Sequence, residues 1–397
     1  MTGEEPKIVY ARPAAEGIAG FLADHLKVVL HVEYDGGTQD LCLFVKRLPV
    51  GNQPKMEFIE KNQFNFREMI MFQLLDHFIF SASDPWCPKA LLCNEKMLVL
   101  PDLTKDGYCS RPQLETLDLP HVLTTTTSLA RFHASFAKYE VRRTSDPQHP
   151  YNVLHDYGTY IHEPTFIPSS WLRACAKLSV NLLNTFSSKY QNIIRVDELY
   201  DQLLKASDSL KEHEDTLNVI IHKDLWVNNI MFKYEKARPA NAILIDFQCI
   251  RYAPPAFDVM CFLYLTTSRS FKKEHEETVL NHYFTIFCEE LDERTKEKVL
   301  GLKYDRDEFL RWCEKARQFG IVLPMCIFPY ILMDPVSAQK TYDNPATYDQ
   351  LLEDRTVPVL AHADKCPIYK ERQVELIEEF VERYMLKPQE PHVMSHS

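Results

Sequence analysis

Residues 219–232, VIIHKDLWVNNIMF, and residues 242–248, AILIDFQ, carry the strongest structural signal in this chain. Each segment contains a short run of apolar, often β-branched residues that is typical of a buried strand, and a turn-rich stretch separates the two. Antiparallel pairing would bring Asn229, at the start of one strand, beside Asp246, at the end of the other. Asp224 lies one loop away from both. Two Asp and one Asn at a single loop offer hard oxygen ligands that suit Mg²⁺.

The order and spacing of these polar residues match a known catalytic arrangement. In protein kinases an H-R-D-x-x-x-x-N segment precedes D-F-G; the first Asp handles the acceptor hydroxyl, and the Asn and the second Asp hold metal ions. The corresponding residues here are His222, Asp224, Asn229, Asp246 and Phe247. We therefore predict that Asp224 orients the acceptor hydroxyl and takes its proton, and that Asn229 and Asp246 hold Mg²⁺. His222 is expected to support the loop through hydrogen bonds.

A site of this kind also needs a cation for the ATP phosphates and a carboxylate that orients this cation. Lys46 ends the predicted strand 41–46, and Glu68 lies on the predicted amphipathic helix 64–75. Either residue alone would be interpreted as a solvated surface charge. Together with the downstream segment, they predict a nucleotide-binding pair.

The periodicity of the sequence changes near residue 102. A predicted hairpin of residues 27–34 and 41–46 lies before that point, and helical periodicity dominates after it. The fold class is therefore α+β, in two lobes as in protein kinases. We predict a small β-rich nucleotide-binding lobe with one key helix, residues 1–102, and a larger, mainly helical catalytic and acceptor-binding lobe, residues 103–387. Residues 388–397 are expected to form a disordered tail.

An uncharged run of residues 319–333 contains Pro324 and Pro329. It is shorter than the ~20 residues that a membrane-spanning helix needs, so we expect no membrane span. The prolines predict a buried pair of helices with a break between them. Its aromatic residues, with Phe328 and Tyr330 among them, are candidates for the lining of an acceptor pocket.

Composition excludes several other classes of protein. Only 10 of 397 residues are Gly, and neither G-x-G-x-x-G nor G-x-x-x-x-G-K-[ST] occurs, which excludes Rossmann and Walker-type sites. The net charge of −11 argues against a nucleic-acid partner. Without an apolar segment after Met1, and with 11 Cys but no C-x-x-C, we expect a cytoplasmic protein with reduced thiols.

The chain resembles the ecdysteroid kinase-like family, whose relatives include choline and aminoglycoside kinases. The resemblance covers about residues 15–385, and the segments that carry it are FVK with LP (44–49), FRE (66–68), VLPDL (99–103), ARFHA (130–134), HKDLWVNN (222–229) and DFQ (246–248). It implies a protein-kinase-like fold with ATP and Mg²⁺ as cofactors. The implied reaction transfers the γ-phosphoryl group to a hydroxyl of a small lipophilic acceptor, such as an ecdysteroid, another steroid or a xenobiotic.

The resemblance also implies roles for residues outside the catalytic loop. The carbonyl of Pro101 and the N–H of Leu103 would bind the adenine edge, although Pro101 replaces a customary Glu. Asp258 would accept N–H groups of the catalytic loop; the alternative is an ordinary carboxylate at a helix N-terminus. Lys223 replaces a customary Gly, and its side chain could reach a phosphate. Residues 16–27, which would cover the phosphates, contain only two Gly.

Two other functions stay open. A choline, ethanolamine or aminoglycoside kinase would need an acidic or aromatic cage for its cationic acceptor. A pseudokinase would bind nucleotide without turnover, although Lys46, Glu68, Asp224, Asn229 and Asp246 are all present. Protein-kinase activity is disfavoured because no D-F-G to A-P-E activation segment is found.

Overall fold

The computed structural model describes residues 7–19, 23–34, 37–49, 51–78, 85–146, 148–342, 344 and 346–386, and for the first of these ranges it describes the backbone alone. An antiparallel-sheet region precedes a mostly helical region, as predicted for a two-lobed kinase-like fold. Part of the expected phosphate-covering segment, residues 20–22, and the expected disordered tail lie outside the described residues.

The N-terminal region is built on a five-stranded antiparallel sheet with the strand order β1-β2-β3-β5-β4. Its strands are β1 (Lys7–Ala19), β2 (Asp24–Tyr34), β3 (Gly37–Arg47), β4 (Leu92–Cys93) and β5 (Met97–Pro101). The predicted hairpin is formed by β2 and β3, which pair along their whole length.

Two helices, α1 (Gln53–Lys61) and α2 (Phe64–Leu75), connect β3 to β4. The bounds of α2 are those predicted from the sequence. Helix α1 was not predicted, although its start signal is present. The side chain of Asn52 accepts a hydrogen bond from the Lys55 N–H, and Pro54 lies in the first turn.

Alternation along β3 determines which side chains face the cleft between the two regions. Leu43 and Val45 are buried with Val99 in the small core of the sheet. Phe44 and Lys46 lie on the opposite face, because successive side chains of a strand alternate. Both line the large cavity between the regions.

Two small sheets of the C-terminal region carry the catalytic motif. One pairs β7 (Val219–Ile221) with β10 (Arg251–Ala253), and the other has the order β6-β8-β9. The strands of the second sheet are β6 (Tyr108–Cys109), β8 (Ile230–Glu235) and β9 (Arg238–Leu244). The antiparallel pairing of β8 with β9 confirms the predicted hairpin.

Helices make up most of the remaining described chain. They are α3 (Leu119–Arg143), α4 (Leu154–Tyr157), α5 (Ser170–Phe186), α6 (Val196–Asp208), α7 (Ala256–Thr266), α8 (Arg269–Glu290), α9 (Glu293–Gly301), α10 (Arg306–Ile331), α11 (Pro335–Tyr342), α12 (Tyr348–Glu353), α13 (Thr356–Lys365) and α14 (Pro367–Phe380), with a π-helical turn at Val381–Met385. We propose residues 102–103 as the boundary between the lobes, since β5 ends there and the 3₁₀ turn Leu103–Asp106 begins.

Helix α10 runs unbroken through Pro324 and Pro329, so the prediction of a broken helix pair is wrong. The two prolines remove N–H donors from the helix, but close packing holds the helix together. A Cβ added at Gly320 would lie 3.1 Å from the Cβ of Met260 on α7. Among the described residues no single helix has the length and apolarity to cross a membrane; α10 and α11, bent by 92° relative to each other, pass that test only as a pair, by length and composition.

Candidate active site

Lys46 lies at the centre of the site. Its Nζ atom is 2.8 Å from Glu68 Oε2 and 2.7 Å from Asp246 Oδ1. Nζ also donates a hydrogen bond to Gln248 Oε1 at 3.3 Å. Strand β3 supplies Lys46 and α2 supplies Glu68. The turn after β9 supplies Asp246 and Gln248. The structure therefore brings together the Lys and Glu that the sequence paired, and joins them to the Asp of the second motif.

The pKa values of Lys46, Glu68 and Asp246 are shifted by burial and by the charges of neighbouring residues. Burial alone would lower the pKa of Lys46, but the charges of Asp246 and Glu68 outweigh it and raise that pKa. Burial would raise the pKa of Asp246, yet the charge of Lys46 and its hydrogen bond lower it. Burial raises the pKa of Glu68, against the opposing effect of Lys46. Lys46 and Asp246 are thus ionised near neutral pH, and an additional cation would be stabilised beside the two carboxylates.

Asp258 anchors the loop that follows β7. Its Oδ2 atom accepts the N–H of His222 at 2.6 Å, and its Oδ1 atom accepts the N–H of Lys223 at 2.7 Å. Behind it, His133 Nε2 lies 3.0 Å from Oδ2, and both side chains are fully buried. Lys223 has a φ of 70°, in the left-handed region that favours glycine. This backbone conformation gives a physical reason for the Gly that the family customarily has there.

Asp224 lies in the loop that Asp258 holds and lines the cavity. Burial, with the charge of Asp246 as a second cause, raises its pKa to about 8. A carboxylate with a pKa near the working pH is suited to accept a proton from a hydroxyl. His222 supports this loop, since its Nε2 atom is 3.0 Å from the carbonyl oxygen of Ile245.

Asn229 stands between the two aspartates. Its Nδ2 atom donates to the carbonyl oxygen of Asp224 at 2.7 Å, and its own carbonyl oxygen accepts the N–H of Ile245 at 3.0 Å. Asn229 and Asp246 both line the cavity. One amide oxygen and one carboxylate fit Mg²⁺, which takes few protein ligands and fills its shell with phosphate oxygens and water. Among the described residues there is no cluster of three His, Cys, Asp or Glu that could hold a metal ion.

The connection between the lobes contains the predicted adenine-binding residues. Pro101 pairs with Leu43 at the end of β5, and both Pro101 and Leu103 line the cavity. Between them, the Asp102 carboxylate accepts two hydrogen bonds from Lys27 Nζ, at 2.9 and 3.1 Å. The sequence did not predict this ion pair, because Lys27 lies on β2, 75 residues away along the chain.

The side chain of Lys223, which we expected could reach a phosphate, forms a buried ion pair with Glu163. Its Nζ atom binds Glu163 Oε2 at 2.9 Å, and Arg251 lies 3.6 Å from the same oxygen. Burial would raise the pKa of Glu163, but Lys223 and Arg251 lower it to about 2. No motif marks Glu163, which is 60 residues from its partner.

One cavity of about 630 Å³ is lined by Lys46, Glu68, Asp224, Asn229 and Asp246, and it extends beyond them into the C-terminal region. Apart from the residues described above, its wall there is mostly apolar and aromatic, and includes Phe166, Trp171, Trp226, Leu323, Ile327 and Tyr330. Helix α10 thus lines this cavity, as the sequence suggested for residues 319–333. Tyr330 takes part in the lining, whereas Phe328 is buried under Arg372, whose guanidinium lies 4.9 Å from the centre of its ring.

Comparisons with known proteins place these features in a family. The sequence model of the ecdysteroid kinase-like family matches residues 18–295. An uncharacterized kinase-like protein of Caenorhabditis elegans is 28% identical over 202 residues, and the match spans about half (49%) of each chain. Similar solved structures include an ethanolamine kinase of Plasmodium vivax, at 14% identity and a TM-score of 0.43 over 91% of this chain and 83% of that one. A choline/ethanolamine kinase family protein of Mesorhizobium loti has 14% identity and a TM-score of 0.32 over 88% of this chain and 90% of that one.

Proposed function

The chain belongs to the ecdysteroid kinase-like family, and we propose that it is an ATP- and Mg²⁺-dependent small-molecule kinase. Its acceptor would be a hydroxyl on a lipophilic molecule, such as an ecdysteroid, another steroid or a xenobiotic. The observation that supports this proposal is the Lys46–Glu68–Asp246 cluster, which lines the same cavity as Asp224 and a mostly apolar wall.

The proposed reaction uses each of these groups in one way. The Asp224 carboxylate accepts a hydrogen bond from the acceptor hydroxyl and takes its proton as the hydroxyl oxygen forms its bond to the γ-phosphorus. The bond between the γ-phosphorus and the β,γ-bridging oxygen breaks, and ADP leaves. Lys46 contacts the α and β phosphates while Glu68 orients it. Mg²⁺, held by Asn229 and Asp246, would neutralise phosphate charge.

The lining of the cavity favours a lipophilic acceptor over a cationic one. Among the described residues the carboxylates that line it are Glu68, Asp102, Asp224 and Asp246. All four lie with the nucleotide-binding and catalytic groups. Two aromatic faces in the apolar part are already covered by protein cations, because Lys223 lies 5.4 Å from the ring centre of Phe166 and Arg355 lies 5.4 Å from that of Trp171. A choline- or aminoglycoside-like acceptor would therefore find no acidic cage in the part of this wall that the described residues form.

The test is a screen for acceptor-dependent ATP consumption with steroids, plant glycosides, phenols and amino alcohols. Asp224→Asn serves as the blank, and Asp208→Asn, at an exposed position on α6, is the matched control that should keep full turnover. We expect turnover with a lipophilic alcohol in the wild type and a loss of about 10³-fold or more in Asp224→Asn with nucleotide affinity retained. If no acceptor raises the wild-type signal above the blank, the chain is a pseudokinase. If amino alcohols alone do so, the acceptor class is cationic.

A further inference from the structure

A buried guanidinium closes the apolar part of the cavity. Arg355, the residue before α13, is only 5% exposed, and its side chain lines the cavity together with Trp171, Cys326 and Tyr342. It lies outside residues 18–295, the part of the chain that the family model matches. Cys326 and Tyr342 also lie outside that part, whereas Trp171 lies within it.

The guanidinium of Arg355 makes few hydrogen bonds within the described protein. Its Nη2 atom donates to Cys175 Sγ at 3.0 Å, and its Nε atom is buried without a hydrogen-bond partner. Cys175, Tyr342 and Cys326 are among the groups that interact with it electrostatically. Its guanidinium also lies 5.4 Å from the ring centre of Trp171, and no ion pair joins it to a carboxylate of the described residues. Asp343 follows Tyr342 in the sequence but lies outside the described residues.

Another buried arginine of the same region has the usual environment. Arg317 is 7% exposed, and Glu276 accepts two hydrogen bonds from its guanidinium, both at 2.8 Å, while Glu314 accepts a third at 2.8 Å. Buried charges are normally paired in this way, because an unpaired charge loses its hydration without gaining a partner. Arg355 differs from Arg317 in this respect, and its position in the cavity wall leaves its charge open to pairing with a ligand.

The positive charge of Arg355 affects the pKa of a neighbouring cysteine, Cys175. Burial would raise the pKa of the Cys175 thiol, but a hydrogen bond with Cys326 and the charge of Arg355 lower it. An oxygen anion on a ligand would experience the same potential, and it could accept hydrogen bonds from the planar guanidinium.

Building on the proposed function, we propose that Arg355 binds an anionic oxygen group of the acceptor. The substrate class is then a lipophilic alcohol with a carboxylate or sulfate at the end remote from the hydroxyl that is phosphorylated. The hydroxyl would lie at Asp224, the apolar body would contact α10 and Trp171, and the anion would contact Arg355.

The test compares two acids with their uncharged methyl esters: lithocholate with methyl lithocholate, and 12-hydroxydodecanoate with its methyl ester. Binding is measured from the tryptophan fluorescence of the full chain, since Trp171 and Trp226 line the cavity. We expect the wild type to bind each acid at least about tenfold more tightly than its ester. Arg355→Met should bring this ratio close to one, and Arg355→Lys should keep part of it.

The matched control is Arg372→Met, at a second buried arginine with an unpartnered nitrogen that lies outside the cavity lining. This variant should keep the wild-type ratio. Binding of a fluorescent ATP analogue checks that each variant is folded. Equal affinity for acid and ester in the wild type, no binding of either acid, or an unchanged ratio in folded Arg355→Met would each overturn the proposal. A gain of about tenfold in lithocholate affinity in Asp343→Asn would also overturn it, because an internal carboxylate would then already neutralise Arg355.

These outcomes separate the two proposals. Preferential binding of the acids without any phosphorylation would keep the anion site and remove the kinase function. Phosphorylation of acids and esters with equal affinity would keep the kinase function and remove the anion site.

Discussion

Replacement of Asp258 by Asn should destabilise the protein and impair turnover together. In the wild type the fully buried carboxylate accepts the N–H groups of His222 and Lys223 at 2.6 and 2.7 Å. Hydrogen bonds to a charged group contribute about 1.5–3 kcal/mol each, so the two together contribute ~3–6 kcal/mol. The Asn side chain keeps one acceptor oxygen, which restores ~1 kcal/mol, and it points an N–H at the second backbone donor. The expected loss is therefore ~2–5 kcal/mol in the free energy of unfolding.

The assay is urea denaturation of the wild type and variant, together with kcat and the affinity for ATP. Because Asp258 holds the loop that carries Asp224, kcat should fall while ATP affinity changes little. Asp292→Asn is the matched control, since Asp292 caps α9 through a single backbone N–H, that of Thr295, at 2.9 Å. That variant should lose ~1 kcal/mol or less, the value of an ordinary helix cap. If Asp258→Asn costs no more than Asp292→Asn, then Asp258 is also an ordinary helix-terminal carboxylate and the reasoning is refuted.

Three further predictions concern charged groups of the same cavity. Lys46→Met leaves the buried carboxylates of Glu68 and Asp246 without their cation; we expect a loss of ~3–5 kcal/mol in unfolding free energy and weaker binding of a fluorescent ATP analogue, and unchanged nucleotide affinity would contradict it. Glu163→Gln removes a carboxylate whose pKa is lowered to about 2. The wild type should therefore lose stability as pH falls from about 4 to about 2, and acid titrations by circular dichroism should show a smaller loss in the variant. For Asp224, whose pKa is raised to about 8, the folded chain holds a proton that the unfolded chain releases above about pH 4. The stability of Asp224→Asn relative to the wild type should therefore increase as pH rises from about 5 to about 8, measured by urea titrations without Mg²⁺ or nucleotide. A stability difference that does not grow with pH would argue against a raised pKa of Asp224.

The catalytic loop could be predicted from the sequence because its signals are local. Each polar residue of the motif lies at or near a boundary of a predicted strand, and the β8–β9 hairpin brings the backbone of Asn229 next to Ile245, the neighbour of Asp246, through pairing that the apolar runs indicate. The position of Lys46 followed from alternation along a single strand, and that of Glu68 from the periodicity of a single helix.

The features that the sequence did not predict depend on distant partners. Glu163 meets Lys223 across 60 residues, and Arg355 meets Cys175 across 180. No periodicity or spacing indicates which charges will meet across such separations. The predicted helix break at Pro324 and Pro329 is wrong for a related reason: local rules end a helix at proline, whereas packing of α10 against α7 keeps it continuous.

The contact between α7 and α10 couples the position of the loop that carries Asp224 to the position of one wall of the cavity. Helix α7 holds Asp258 and, through it, the loop that carries Asp224, while Leu323, Ile327 and Tyr330 of α10 line the cavity. The approach at Gly320 leaves 3.1 Å between an added Cβ and Met260, so a substitution that shifts α10 also moves the catalytic loop. The segments that carry Tyr342, Leu352 and Arg355 line the same cavity and do not hold that loop. Selection for a new acceptor would therefore be least harmful to turnover in α11–α13, and libraries for altered acceptor range should begin there.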